Sequence, residues 1–266
     1  MAIVFEEFRS GIRVWRYIVY RAYLARKLIV ARSSLGLLFE PILLVASTFC
    51  IALVWNKIFG RGGGQEFFHF FLYVLVSFSI WNLISSVING SSGSLLGRVN
   101  LITNTQDPIL VGILMDLVGC GIIFLMSLPA VLVFILLLSK GSLLGFAYLA
   151  YGFLLIFVTG IGCGLTIGVA CLFVGDLRAI INAIMRVSFL LTPVIWQVER
   201  LGEYQKYIYW NPFYNYLAIC RDGLLKGDVG TKELIIATSM TITIFLLGLL
   251  VLSRFKIRLR KKAFSL

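Results

Sequence analysis

Three ionisable side chains stand inside long apolar stretches of this chain: Glu40, Asp116 and Arg186. A charge at the centre of a membrane-crossing helix costs about 2.5–3.5 kcal/mol on insertion scales, so each is a candidate for a function that offsets the cost. Two readings stand for Arg186. It pairs with one of the carboxylates, or it lines a path and meets an anionic headgroup phosphate, which suits the forked donors of a guanidinium. A second concentration of chemistry runs from Trp196 to Tyr216. There Trp196, Tyr204, Tyr207, Tyr209, Trp210, Phe213, Tyr214 and Tyr216 make eight aromatics in 21 positions, where the chain average of 14% gives about three. These rings form an aromatic belt at a membrane interface, or some of them face a conduit and stack on sugar C–H faces while phenol and indole hydrogens bond hydroxyls.

Other chemistries are missing. No G-x-x-x-x-G-K-[ST] loop occurs; the cluster Gly60-Arg61-Gly62-Gly63-Gly64 lacks the Lys-Ser/Thr ending, so the chain has no nucleotide site of that kind. The single histidine, His69, makes neither an HExxH nor a His-rich metal site, and no G-x-S-x-G elbow is present. Cys50, Cys120, Cys163, Cys171 and Cys220 lie mostly in apolar runs without paired spacing and read as packing residues. No cofactor or metal is expected in this chain, and an enzyme is disfavoured.

The elements that must position these residues are membrane spans. The 266 residues are 60% apolar and 14% charged, with mean hydropathy +0.97, against about 45–50% and about 25% in soluble domains. Spans of about 20 apolar residues are expected at 37–58, 67–88, 114–138, 145–173, 179–197 and 234–253. Residues 1–32 hold seven Lys/Arg against two Glu, and 254–266 hold six against none, which together supply +11 of the net +12. An even number of spans joins two basic ends, so the positive-inside rule puts both termini in the cytoplasm and the loop 198–233 outside. The charge flanks spans instead of forming a stripe, which argues against nucleic acid. Residues 1–35 alternate apolar and basic positions at helical spacing and predict an amphipathic helix in the inner headgroup layer, in contact with membrane lipids.

Three local patterns refine this layout. In the loop 89–112, Leu95, Leu96, Val99 and Ile102 share one face of a short helix, either a docking helix or a plain connector. Gly160, Gly162, Gly164 and Gly168 give small-residue spacings for close helix packing. Thr192-Pro193 breaks the fifth span, and Asn211-Pro212 turns the chain again, predicting short half-helices dipping into the outer leaflet. The fold class is therefore all-α integral membrane: six spans, an N-terminal interfacial helix and re-entrant half-helices between spans five and six. The domain plan is one transmembrane domain over 1–266, with 1–35 interfacial, 36–253 forming the channel domain and 254–266 a basic cytoplasmic tail.

Three stretches in this order resemble the membrane subunits of ABC-2 type polysaccharide exporters, which serve O-antigen, capsule and wall teichoic acid. They are RSSLGLLFEPILL (Arg32 to Leu44), VGDLRAI (Val174 to Ile180, with Gly175 where the family has Arg), and TPVIW followed by YWNPFYNYLAICRDGLLKG, which carries Arg221. The resemblance implies a homodimeric channel in the bacterial inner membrane that moves a lipid-linked polysaccharide, with ATP and Mg bound by two copies of a separate ATPase subunit. It implies that Leu95, Leu96, Arg98, Asp176 and Arg178 couple to that ATPase. It further implies that Trp196, Tyr204, Tyr207, Tyr209, Trp210, Phe213 and Tyr214 belong to the glycan path or outer gate, and that Arg32 and Arg186 meet the lipid headgroup. The alternatives are an ABC-2 efflux subunit for a small lipid or drug, and an ATP-independent channel or carrier.

Overall fold

The computed structural model describes residues 15–31, 36–59, 64–96, 109–138 and 143–263. Every element among them is helical, as the apolar runs and the absence of period-two patterning require. In chain order these are α1 (Trp15–Ala31), α2 (Phe39–Phe59, entered through a 3-10 turn at Gly36–Leu38), α3 (Gly64–Gly93) and α4 (Ile109–Leu138). Then follow α5 (Leu143–Cys163), a π-helical turn (Gly164–Gly168), α6 (Val169–Phe173), α7 (Leu177–Leu191), a 3-10 segment (Val198–Trp210), α8 (Pro212–Lys226) and α9 (Thr231–Ala263). Among the described residues five stretches are long and apolar enough to cross a membrane: Phe39–Ile58, Glu66–Gly93, Ile109–Leu138, Leu144–Phe173 and Thr231–Arg254.

The segment expected as the fifth of six spans differs. Pro193 forces Thr192 into an extended conformation (φ −94°, ψ 138°), and α7 stops at Leu191 after 15 residues. At 1.5 Å per residue it is about 22 Å long, short of the ~30 Å hydrocarbon core. The chain then stays non-helical to Gln197, where the expectation had run a span through 197.

Pairwise contacts fix the direction of each helix. Phe71 meets Phe134 (ring centroids 5.2 Å apart), and a Cβ on Gly90 would meet Cys120 Sγ at 3.6 Å, so α3 and α4 are antiparallel. Tyr151 bonds Thr238 at 2.8 Å and Thr159 bonds Thr241 at 3.1 Å, so α5 and α9 run the same way. Ile18 of α1 is buried against Val111 and Met115 in the first turns of α4. In consequence α1 and the C-terminal part of α9 lie at one end of the bundle, hereafter the basic end, while Gly64, Leu143 and Thr231 lie at the opposite end.

The glycine run packs helices as its spacing predicts. A Cβ on Gly162 would stand 2.7 Å from Ile244 O of α9, and one on Gly168 would stand 2.8 Å from Ser91 O of α3. Only a residue without a side chain allows backbone to approach that closely. The crossing is tied by hydroxyls: Thr159, Tyr216 and Thr241, from α5, α8 and α9, lie 2.9–3.1 Å from one another.

Candidate functional site

The break after α7 leaves backbone carbonyls without their helical partners, and unsatisfied backbone away from water is costly. Polar side chains of the TPVIW and WNP stretches bond the carbonyls of the last turn of α7. Thr192 Oγ1 donates to Ser188 O at 2.8 Å, the Trp196 indole N–H to Leu190 O at 3.1 Å, and the Asn211 amide to Leu191 O at 3.2 Å and Thr192 Oγ1 at 3.0 Å. The Asn211 Oδ1 also accepts from Phe213 N at 3.0 Å and caps α8, whose first position is Pro212. Asn215 donates to Tyr209 O and Asn211 O, at 3.3 and 3.4 Å.

Arg221 closes this knot. It is 2% exposed, and its Nη1 donates to Tyr73 Oη at 2.7 Å and to Pro193 O at 2.9 Å. Its Nε and Nη2 fork onto the Asp222 carboxylate at 2.8 and 3.2 Å, and its guanidinium lies 4.6 Å from the Tyr73 ring centroid. Tyr73 Oη stands within 3.1 Å of Pro193 O and 3.0 Å of Trp196 O, so a residue of α3 holds both sides of the break. The motif residues therefore satisfy an irregular backbone, a role their spacing alone did not disclose.

These contacts set the depth of α8. Phe213 packs edge-on against Trp81 (5.6 Å) and Arg221 against Tyr73, so α8 runs antiparallel to α3. It starts level with the middle of the bundle and ends toward the opposite end. Gly202, at φ 54°, splits the 3-10 segment into two short pieces.

The expected gate aromatics divide into two groups. Trp196 is committed through its N–H, Phe213 packs on Trp81, and Tyr214 is buried. Tyr209 is half-buried; burial and its hydrogen bond to the Glu233 carboxylate push its phenol above the usual value. Tyr204, Tyr207 and Trp210 are exposed, Trp210 by 85%. Lys206 Nζ stands 5.2 Å from the Tyr207 ring centroid. Trp196, Phe213 and Tyr214 already have partners for their polar atoms or ring faces.

The structure also brings together a set that the sequence reading passed over. Ser79, Asn82, Ser86 and Asn89 recur every three or four residues on α3, with Ser85 beside them. Together they form a polar stripe through the middle of an apolar helix. Toward α2 and α4 the stripe borders a cavity of about 560 Å³ that Glu40, Ser47 and Ser127 also line. Toward α7 it borders one of about 500 Å³ that includes Asn182 and Arg186. Asn82 and Arg186 are exposed, and the two cavities share Phe78, Asn82 and Ser85. On the other side of the α3–α7 contact the lining is wholly apolar apart from its hydroxyls and Cys163, with Ile84, Val87, Ile181 and Ile184 around about 310 Å³. The polarity is thus confined to one face. Among the described residues Arg186 makes no salt bridge, with Glu40 or any other carboxylate.

Of the coupling candidates, Arg98 lies outside the described residues, as does Arg32. Leu95 is 1% exposed and packs near the position of Gly168, so its side chain belongs to the core. Leu96 is half-buried. Asp176 is exposed in the turn before α7, where its carbonyl accepts from Ala179 N and Ile180 N at 3.0 and 3.2 Å. Arg178 lays its guanidinium against Gly93, 3.1 Å from where a Cβ would be, at the C-terminal end of α3 that favours a cation. No protein-family model matches this chain, and no characterised protein matches it significantly.

Proposed function

We propose that this chain is the membrane permease subunit of an ATP-driven exporter for a lipid-linked polysaccharide, with the polar stripe of α3 as one wall of the path. The observation that carries the reading is the stripe itself: Ser79, Asn82, Ser86 and Asn89, faced by Ser47 and Glu40 on one side and by Asn182 and Arg186 on the other. Amides and hydroxyls exposed to acyl chains would be left without partners at a cost of several kcal/mol in all. On a path for a hydroxyl-rich polymer they are solvated or bonded to cargo. The exposed rings Tyr204, Tyr207 and Trp210 stand beyond the break, where the polymer would emerge.

The same reading gives the break its place. The short α7 together with the knot above it completes a sixth crossing, and α8 is the re-entrant helix that returns from mid-depth. Both basic ends then face the cytoplasm. A second copy of the chain covers the open polar face, so the path lies between two subunits. An ATPase subunit pair docks at the basic end through the surface around Leu96, Arg98, Asp176 and Arg178. The cell inner membrane and the polysaccharide class follow the family resemblance of the three motif stretches.

The test is a deletion strain of the source bacterium, complemented by the wild-type chain and by Asn82→Leu/Asn182→Leu. The wild-type gene should restore surface polysaccharide and the double variant should accumulate polymer inside at equal membrane abundance. Purified chain alone should hydrolyse no ATP, while a co-expressed ATPase should co-purify and do so. Unchanged surface polysaccharide in the deletion strain would overturn the reading.

A further inference from the structure

Behind α7, away from the polar stripe, the bundle leaves an elongated apolar slot of about 310 Å³. On α5 its wall runs through Ile156, Thr159, Cys163 and Ile167, spaced three and four residues apart on one face. From Ile156 to Ile167 the helix rises about 16 Å, roughly half of the ~30 Å hydrocarbon core. Phe213 and Tyr216, in the first turns of α8, mark the middle of the bundle, and Ile88 and Ile167 lie toward the basic end. The slot therefore occupies the depth of one leaflet. Its mouth opens on the outer surface of the bundle between α7 and α9, where Ile184 is exposed and Met240 and Ile244 are half-buried. Ile184 also belongs to an apolar row on α7, with Ile180, Val187 and Leu191, each more than half exposed.

Water gains nothing in this slot. The hydroxyls of its wall, on Thr159 and Tyr216, bond each other at 3.0 Å and Thr241 at 3.1 and 2.9 Å, so none is left wanting a partner. Left empty, the lining would forfeit its contacts on that side. A helix of a second copy, about 10–12 Å across with its side chains, is too wide to reach the inner wall at Cys163 and Tyr216. A polyprenyl chain carries a methyl branch on every isoprene unit and is broader than a polymethylene chain. We propose that the slot is a binding site for one acyl chain of a bulk membrane phospholipid, which enters between α7 and α9 and lays its tip against Tyr216. Lipid tails are as apolar as the slot, so the preference is for an unbranched shape that fills the void. On this side α7 then rests on lipid, while its Asn182 and Arg186 border the polar cavity on the other. The inference needs only that the chain spans a membrane, and it goes beyond the export reading.

The test uses the full chain in phosphatidylcholine nanodiscs doped with a phosphatidylcholine that carries a diazirine midway along one acyl chain. Photolysis followed by peptide mass spectrometry locates the adducts. Wild type should carry them on Cys163 or Tyr216, both buried in the slot, as well as on the exposed Ile242 and Leu250 of α9. Ile184→Trp and Met240→Trp plug the mouth from α7 and α9, at positions open enough to accept a larger side chain. Each should lower the inner adducts at least tenfold and leave those on Ile242 and Leu250 unchanged, a separation that a folding defect would not give. Adducts confined to exposed side chains in wild type, or inner adducts untouched by both plugs, overturn the proposal. A polyprenyl phosphate that displaces the inner adducts where the same mole fraction of unlabelled phosphatidylcholine does not would also overturn it, by giving the slot to a branched chain. Inner adducts that vanish when two chains share one nanodisc would give it to a second copy instead. None of these readouts measures export, so the export reading stands or falls separately on the deletion strain.

Discussion

Replacing Arg221 with methionine removes a side chain of α8 that bonds both α3 and the chain just after α7. The substitution keeps most of the volume but leaves Pro193 O with the Tyr73 hydroxyl alone and strips the Asp222 carboxylate of both forked donors. Removing one partner of a buried ion pair costs about 3–5 kcal/mol because the other charge stays buried. Asp222 retains some solvent access, its side chain being 18% exposed, which places the effect toward the lower figure. For a chain of this size each kcal/mol moves the melting temperature by about 2–4 °C, so the expected drop is roughly 6–12 °C. Thermal unfolding in nanodiscs measures it, with Lys226→Ala as control, since that ammonium is 63% exposed and 3.9 Å from the same carboxylate. The control should shift by no more than about 2 °C. Arg221→Lys should fall between them, because an ammonium cannot fork onto a carboxylate and also reach Pro193 O. A melting temperature for Arg221→Met equal to that of Lys226→Ala would refute the argument that this knot secures the break.

Gly162→Val and Gly168→Val should each lower membrane abundance by driving a side chain against Ile244 O and Ser91 O, whereas Gly175→Ala, with nothing within 4 Å, should leave it unchanged; quantitative blotting separates them. Alanine at Tyr204, Tyr207 or Trp210 should reduce export about 2- to 12-fold at constant abundance, from about 0.5–1.5 kcal/mol per ring, while alanine at Trp196, Phe213 or Tyr214 should reduce abundance first. Export that tracks abundance at all six positions would leave these rings a purely structural part. For topology, a cysteine at Glu203 should react with an impermeant thiol reagent in intact cells and one at Lys261 should not; labelling at Lys261 would break the placement of both ends in the cytoplasm.

Apolar runs long enough to cross a membrane were legible without coordinates, because burial in lipid demands them whatever the neighbours are. The glycine run was legible for the same reason: small residues one turn apart have few other uses in a span. In the segment 179–197 the helix ends at Leu191, before Pro193, whose break of the span was visible locally. Its consequence was not, because the freed carbonyls are met by Tyr73, Asn211 and Arg221, up to 148 residues apart in sequence. Aromatic density marked the segment but could not sort Trp196 from Trp210, since only contacts tell an engaged ring from an exposed one. The polar stripe was the readable feature that was passed over. Ser79, Asn82, Ser86 and Asn89 carry a helical period, but serine and asparagine are uncharged and do not break an apolar average, so a search for ionisable residues steps over them.

The central claim is that the stripe on α3 lines a polar path, and cysteine accessibility addresses it most directly. In a Cys50→Ala background, whose remaining cysteines are buried, single cysteines are placed at Asn82 and Ser86 and, as controls, at Leu136 and Ile235, which are exposed apolar side chains. A membrane-impermeant, charged thiol reagent is applied to the reconstituted chain. The account predicts rapid modification at 82 and 86, slowed by the lipid-linked glycan, and none at 136 or 235. Equal protection at all four positions, the signature of a stripe buried in lipid or protein, would contradict it.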